Sequence, residues 1–197
     1  MAEPRLITGY LSALSAQLPA PVVAELADGL GETHQHYLRQ GLDPDAAARA
    51  AVAEFGEPSL VIAGYAEVSP ARRVARRLMA TGPLVGACWA TALITGRAWA
   101  WPVQPAVVLL AGLVLLASIG LIVSAAAGPG YRSVVRAGLA GCVGVTALDA
   151  FLVSAVLFAD PAIGWITSLA LAASLTRLLF SARSLRWCLA EAALSLR

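Results

Sequence analysis

The chain of 197 residues is long enough for one ordinary domain, or for a small domain followed by a membrane bundle. Apolar residues make up 59% of it and charged residues only 13%. A soluble globule has roughly 25% charged residues, so much of this surface must face something other than water. The net charge is only +2, and all 14 Lys and Arg positions are arginine. The arginines gather beside apolar runs without interleaved aromatic residues, which favours lipid headgroups over direct nucleic-acid binding.

Four short helices are predicted in residues 1–68. Apolar residues recur at helical spacing from Ile7 to Leu18 and again from Val22 to Leu38. Caps, prolines and glycines divide this segment into its helices, at Pro19, Pro21, Gly41, Asp43, Pro44, Gly56, Glu57 and Pro58. The segment is therefore predicted to be a small all-helical domain. Its core is marginal at this size unless the membrane or a partner adds to it.

Residues 69–77 join this polar segment to the apolar remainder of the chain. Ser69 supplies a capping oxygen and Pro70 suits the first helical position, so a new helix is predicted to begin here. Arg72 and Arg76 are one helical turn apart, as are Arg73 and Arg77, and the four form a broad basic stripe on this helix. We predict a basic juxtamembrane helix that continues into the first membrane span and leaves little room for a flexible linker.

Four apolar stretches follow, each long enough to cross about 30 Å of hydrocarbon as a helix. The predicted spans are residues 78–96, 105–126, 137–158 and 163–180, within a bundle over residues 78–182. Polar turns separate them, with the interfacial aromatic residues Trp99 and Trp101 before Pro102, and with Asp160-Pro161 before the last span. The predicted fold class is all-α, with a small cytoplasmic helical domain followed by a four-helix transmembrane bundle.

The distribution of arginine sets the expected orientation. If the basic stripe is cytoplasmic, four spans place the other clustered arginines on the same side, and only Arg97 lies in an external loop. The arginines expected on the cytoplasmic side are Arg72, Arg73, Arg76, Arg77, Arg132, Arg136, Arg183 and Arg186. We therefore expect a multi-pass protein of a bacterial inner (plasma) membrane, with both termini in the cytoplasm.

Residues 183–197 are predicted to be a cytoplasmic amphipathic tail. One face of the tail carries Leu185, Cys188, Leu189, Ala192 and Leu196. A short helix that lies on the membrane interface or on the N-terminal domain would use that face. The alternative is an extension of the fourth span.

Asp149 lies near the middle of the third predicted span. An unpaired carboxylate there costs at least roughly 2.5 kcal/mol, so it must face the bundle, find donors or be protonated. By depth, the candidate donors are Trp89, Thr91, Ser168 and Ser174. Counting about 1.5 Å per residue places Arg177 near the inner end of its span and Asp149 about 10 Å deeper, so we expect Arg177 to reach the headgroups and not to pair with Asp149. Asp149 is then either a proton- or ligand-responsive site or a structural contact that orients the bundle.

Three glycines in the third span, Gly138, Gly141 and Gly144, favour close packing inside the bundle over a dimer motif. Cys88, Cys142 and Cys188 have no metal or disulfide spacing and are interpreted as small apolar residues. Glu32 and His36 are too few ligands for a closed metal site. No phosphate loop, zinc motif or nucleophile elbow occurs in the sequence, so we predict no enzyme, no metal and no cofactor.

After its first helix, the N-terminal segment reads VVAELADGLGETHQHYLRQGLDPDAAARAAVAEFGEPSLVIAGY. This stretch resembles the short cytoplasmic HAAS domain, also described as the permease prefix domain. The shared pieces are the acidic helix from Glu25 to Glu32, the turn and restart over residues 41–48, and the Phe-Gly-Glu-Pro turn over residues 55–58. Family members commonly carry Asp-His in the acidic helix, where this chain has Asp28-Gly29.

The resemblance, which covers roughly the first third of the chain, implies a domain that precedes several membrane spans. It also implies a neighbouring gene for a PadR-like transcriptional regulator and a role in signalling or regulation at the membrane. The expected partners are the lipid bilayer and a cytoplasmic protein, either a PadR-like regulator or a transporter subunit. A homo-oligomer is left open. An accessory or truncated permease subunit and a structural anchor without sensing are the alternative functions.

Overall fold

The computed structural model describes residues 5–100, 103–159 and 164–195. Side chains are described in the same ranges except for Trp99, Ala159 and residues 184–195. Some predicted features therefore lie outside the described part of the chain, namely Trp101, Pro102, Asp160, Pro161 and Leu196, and the side chains of Trp99, Leu185, Arg186, Cys188, Leu189 and Ala192.

The described residues form eight α-helices and no strand. The four N-terminal helices are α1 (Arg5–Ser15), α2 (Ala20–Arg39), α3 (Pro44–Phe55) and α4 (Pro58–Val68). The four long helices are α5 (Pro70–Thr95), α6 (Pro105–Ala127), α7 (Tyr131–Ala159) and α8 (Trp165–Ser195). A 3-10 turn at Ala98–Ala100 follows α5.

Local sequence signals set the helix ends. The carboxylate of Asp43 accepts hydrogen bonds of 3.0 Å from two backbone N–H groups in the first turn of α3. Gly56 ends that helix with φ at +82°, a value that favours glycine. Ser69 caps α5 by accepting a hydrogen bond of 3.2 Å from the N–H of Arg72. The predicted order of four short helices and the predicted start of α5 are therefore confirmed.

The long helices contain four stretches that are long and apolar enough to cross a membrane. These stretches are Pro70–Thr95, Pro105–Ala127, Tyr131–Phe158 and Trp165–Arg183, so the predicted multi-pass membrane class is confirmed. α7 begins at Tyr131, about two turns before the predicted start at residue 137. Residues 131–136 contain no proline or glycine, so Arg132 and Arg136 lie on the helix itself and not in a loop.

The C-terminal tail continues α8. This helix runs without interruption from Trp165 to Ser195, so the predicted separate tail helix is wrong and the alternative, an extension of the fourth span, is observed. The physical reason is that residues 165–195 contain neither proline nor glycine, and nothing in the sequence stops the helix.

One hydrophobic core joins the N-terminal helices to one end of the bundle, which we call the proximal end. This core includes Leu14 of α1, Leu30 of α2, and Val134 and Val135 of α7. Residue 68 therefore marks the end of a helix but does not separate two hydrophobic cores. The proximal end supplies apolar surface that so short an N-terminal segment lacks by itself.

In the bundle, α6 packs along α7, and α8 packs against α5 and α7. A second core lies between α5, α7 and α8 and includes Trp89, Val156 and Ala170. α6 turns a row of exposed leucines outward, at Leu109, Leu110, Leu113 and Leu116. Such a surface suits contact with hydrocarbon better than contact with water.

Candidate functional site

Small residues on α7 allow α6 and α5 to approach it closely. A Cβ added to Gly141 would lie 2.7 Å from Cγ1 of Ile122 on α6, and one added to Gly144 would meet Oγ of Ser118. A Cβ added to Gly138 would lie 3.1 Å from an alanine Cβ on α5. All three glycines thus face neighbours within the bundle, and this packing fixes the rotation of α7 that turns Asp149 inward.

Asp149 is the centre of a polar cluster that consists of Trp89, Asp149, Ser174 and Arg177. The Asp149 side chain is fully buried, at 0% exposure. Nε of Arg177 donates to Oδ2 of Asp149 at 2.6 Å, and a terminal nitrogen of Arg177 donates to Oδ1. The Ser174 hydroxyl donates to Oδ1 at 3.2 Å, and Nε1 of Trp89 donates to the oxygen of Ser174 at 2.6 Å. Three long helices therefore meet at one carboxylate.

The expectation that Arg177 reaches the headgroups is wrong, because its guanidinium binds Asp149 in a bidentate ion pair. α7 ends ten residues after Asp149, and Ser174 lies nine residues into α8, so these two residues are level in the antiparallel pair. Arg177 is only one turn further along α8. Helical side chains lean toward the helix N-terminus, which points the Arg177 side chain back toward Ser174 and Asp149.

Two of the candidate donors do not join the polar cluster. The Thr91 hydroxyl is exposed and donates to the carbonyl of Ala87, one turn earlier in the same helix. The Ser168 hydroxyl is also exposed and donates to the carbonyl of Gly164. Thr91 therefore lies on an outward face of α5, and Ser168 lies six residues before Ser174, about 9 Å away along α8.

The ion pair makes the polar cluster electrically neutral within the apolar bundle. A bidentate arginine–carboxylate pair is the geometry that best compensates the removal of both charges from water. Loss of either charge would leave the other without compensation in a span, which is costly. Among the described residues, no group of three or more His, Cys, Asp or Glu side chains could hold a metal ion.

A lateral cavity of about 720 Å³ lies beside the polar cluster, between α5, α6 and α7. It is lined almost entirely by apolar residues, and Trp89 and Arg177 of the polar cluster are also part of its lining. Small residues on its walls leave the space open, since a Cβ added to Gly82, Gly86 or Gly112 would meet no atom within 4 Å. No local sequence pattern predicts this cavity, because its volume depends on how far α5 and α6 are separated.

A second polar constellation, the proximal clamp, consists of Arg72, Glu67 and the backbone carbonyls of Ala125 and Gly128. Arg72 is buried, with 6% exposure. Its Nη1 lies 2.5 Å from Oε2 of Glu67, its Nε donates to the carbonyl of Ala125 at 3.4 Å, and its Nη2 donates to the carbonyl of Gly128. The guanidinium thus joins the end of α4, the start of α5 and the last carbonyls of α6.

Glu67 is shared by two arginines. Nη1 of Arg76 lies 2.6 Å from Oε1 of Glu67, while Arg72 holds the other oxygen. These hydrogen bonds, that of Arg76 first and that of Arg72 second, lower the pKa of Glu67 below its ordinary value. Glu67 and Arg76 are both about half exposed, so the solvent screens their ion pair more than it screens the charge of the buried Arg72.

The other proximal arginines differ in their contacts. Arg73 is exposed and donates to the carbonyl of Val68, with Nη2 at 2.7 Å. Arg132 donates to the carbonyl of Ser15 at the end of α1, at 3.2 Å. The guanidinium of Arg77 lies 5.6 Å from the ring centre of Phe180. Arg136 and Arg183 are exposed.

The predicted basic stripe therefore divides in two. Arg72 is buried and bonded to groups inside the protein, so it does not contact a lipid headgroup. Arg73, Arg76 and Arg77 are exposed. The contacts of Arg72 with the end of α6 were missed, although unsatisfied carbonyls at a helix end are ordinary partners for a cation. The sequence shows that carbonyls are present there but not which arginine reaches them.

Comparisons of the chain with protein-family models, with curated proteins and with solved structures found no match.

Proposed function

We propose that the chain is a regulatory protein of a bacterial inner membrane, whose N-terminal helices contact a cytoplasmic protein partner. The proximal clamp is the observation that carries this proposal. Arg72 binds groups from α4 and α6 while it stands on α5, and the core around it reaches α1 and α2. A change in the tilt of α5 would therefore be transmitted to the N-terminal helices through packed contacts.

The proposed cytoplasmic orientation follows from charge. Exposed arginines cluster at the proximal end, at Arg73, Arg76, Arg77, Arg136 and Arg183, while the described residues of the opposite end carry Arg97. The side of a span that carries more arginine tends to stay in the cytoplasm. Reporter fusions after residue 68 and in the turn after Gly96 would test this. A cytoplasmic reporter signal from the second fusion would contradict it.

The surface proposed for the partner lies on α2. Glu25, Asp28 and Glu32 are exposed and recur at helical spacing, so their carboxylates share one face of this helix. The partner class comes from the resemblance of this segment to the HAAS domain, which points to a PadR-like transcriptional regulator. A basic surface on that regulator would complement the acidic face.

Pull-down of the full-length protein in mild detergent tests the proposed function. We expect a winged-helix regulator to co-purify with the wild-type chain, and not with a variant that carries Glu25→Lys, Asp28→Lys and Glu32→Lys. Asp45→Lys, an exposed change on α3, is the matched control and should keep the partner. Capture of a transport subunit in place of the regulator would favour the permease alternative. The proposal fails if no cytoplasmic protein co-purifies and deletion of the gene leaves the regulator's target promoter unchanged.

A further inference from the structure

The lateral cavity has the size and chemistry of a ligand site. Its volume of about 720 Å³ lies within the roughly 300–1,000 Å³ range of ligand pockets in proteins. Along α5 its lining runs from Leu78 to Leu93, which is 15 residues or about 22 Å at about 1.5 Å per residue. One leaflet supplies about 15 Å of the roughly 30 Å hydrocarbon thickness, so the cavity is longer than a leaflet.

The surroundings of the cavity favour a hydrocarbon chain as the main part of the ligand. The lining side chains Met79, Leu115 and Ile119 are exposed, so the cavity opens sideways between α5 and α6, where a membrane protein meets lipid. Gly82 and Gly86 stand one turn apart on its α5 wall and make it flat. A long apolar space that opens to the bilayer matches an extended acyl chain.

Arg177 adds a polar requirement. It lines the cavity, its side chain is 14% exposed, and its two hydrogen bonds to Asp149 use Nε and Nη2. Among the described residues, Nη1 has no hydrogen-bond partner, so N–H donors remain for an acceptor in the cavity. The charge of Arg177 is already balanced by Asp149. An uncharged ligand with an oxygen acceptor suits this site, whereas a charged headgroup would be buried without a counter-charge.

We propose that the lateral cavity binds a neutral acylglycerol of the bilayer, with one chain between α5 and α6 and an ester carbonyl that accepts a hydrogen bond from Nη1 of Arg177. A diacylglycerol carries chains of suitable length, two ester carbonyls and an uncharged hydroxyl head. A phospholipid carries the same chains, but its charged headgroup holds the ester carbonyls near the membrane surface. This inference does not depend on the proposed regulatory role.

Quenching of Trp89 fluorescence by brominated lipids tests the proposal, because Trp89 lines the cavity. The full chain, with Trp99, Trp101, Trp165 and Trp187 changed to Phe, is placed in nanodiscs. Brominated diacylglycerol is compared there with brominated phosphatidylcholine at equal mole fraction. We expect the diacylglycerol to quench Trp89 at least about threefold more strongly, which corresponds to preferential binding. Equal quenching by the two lipids would overturn the proposal, since the cavity would then hold bulk lipid without selection.

Two variants separate the chain contact from the carbonyl contact. A Cβ added to Gly86 meets no atom within 4 Å, so Gly86→Leu places its side chain in the cavity and should reduce the quenching to the phosphatidylcholine level. Gly120→Leu, on an exposed part of α6 outside the cavity, should not. The double change Asp149→Asn and Arg177→Met removes the donor and leaves no unpaired charge. It should abolish the preference for diacylglycerol.

Three outcomes would count against the acylglycerol. Unchanged quenching in both the Gly86→Leu variant and the double variant would exclude the cavity as the binding site. Competition by a long-chain quinone, without any effect of diacylglycerol, would assign the site to a different lipid class. Loss of quenching only when two copies of the protein share one nanodisc would assign the cavity to a second copy of the chain.

Discussion

Asp149 and Arg177 form a buried ion pair at the centre of the polar cluster. The carboxylate is fully buried in a candidate span, and the guanidinium supplies two of its hydrogen bonds. The Ser174 hydroxyl donates a further hydrogen bond to the carboxylate, and Nε1 of Trp89 on α5 donates to the oxygen of Ser174. A neutral pair is tolerable at this position, but a single charge is not.

Asp149→Leu should therefore destabilise the protein strongly. It leaves Arg177 charged and without its partner, and breaking a buried pair in this way costs about 3–5 kcal/mol. Adding Arg177→Met to this variant should restore most of the lost stability, because no unpaired charge remains. Thermal unfolding in detergent micelles would measure both changes, with the exposed Thr91→Val as control. A double variant no more stable than Asp149→Leu alone would show that the ion pair is not the cause.

Glu67 gives the proximal clamp a dependence on pH. Its pKa is lower in the folded protein than its ordinary value of 4.5, because Arg76 and then Arg72 donate hydrogen bonds to the carboxylate. The stabilisation is therefore fully present above pH 4.5 and is lost as the pH falls through the lower, folded pKa. Glu67→Gln should lower the melting temperature at neutral pH and make little difference in stronger acid. A difference that stays constant with pH would contradict this account.

At the scale of the helix, the glycines of α7 set the distance to α6. Gly141 and Gly144 leave room for Ile122 and Ser118, and each position would be crowded by any side chain. This close contact gives α6 its main support within the bundle, since much of its remaining surface is exposed. The same residue type has the opposite effect on α5, where Gly82 and Gly86 face open space.

Gly141→Leu should separate α6 from α7. The new Cβ would lie 2.7 Å from Cγ1 of Ile122 and 3.2 Å from its backbone nitrogen, so a helix must shift. Overpacking of this kind costs about 1–3 kcal/mol, and contact with backbone places this variant at the upper end. Gly120→Leu on α6, with no atom within 4 Å of its added Cβ, is the matched control. Equal melting temperatures of the two variants would contradict the proposed packing role.

The helices were predictable from sequence because their signals are local. Asp43 before Pro44, Gly56 before Pro58 and Ser69 before Pro70 each act within one turn, and each marks an observed boundary. The contacts of neighbouring arginines were not predictable in the same way. Arg72 and Arg73 have the same local sequence context, yet only Arg72 faces the end of α6. The prediction that Arg177 reaches the headgroups was wrong for the same reason, since its pairing with Asp149 depends on how α7 and α8 are aligned.

For the molecule as a whole, the N-terminal helices and the bundle share one core at the proximal end. Three polar links reinforce it, since Arg72 reaches α6, Glu67 joins α4 to α5, and Arg132 of α7 reaches the end of α1. The N-terminal segment is therefore attached at several points around the proximal end, and not only through the chain at residue 69.

Arg72→Leu should loosen this attachment while the bundle remains folded. The buried guanidinium is removed from the carbonyls of α6, while Glu67 keeps its pairing with Arg76. We expect limited proteolysis of α1–α4 to become faster by at least about tenfold, because local opening of that region requires less free energy. Arg73→Leu, an exposed neighbour, should have little effect. An equal response of the two variants would contradict the role of the proximal clamp.

Insertion of several glycines after Val68 tests the same connection along the chain. If transmission of helix tilt matters for regulation, the insertion should abolish the response of the regulated promoter while the protein still reaches the membrane. A normal response would show that a rigid chain connection at residue 68 is not needed for the transmission.

The proximal clamp also has an evolutionary consequence. Arg72 binds α6 through main-chain carbonyls, which every amino acid supplies. Substitutions at position 125 can therefore change the side chain without changing the acceptor, while position 72 has no substitute of equal reach and donor number. Among relatives, the arginine should stay invariant without any correlated change in α6. Methods that infer contacts from paired substitutions would then overlook the link, and only Glu67 and Arg76 would be expected to vary together.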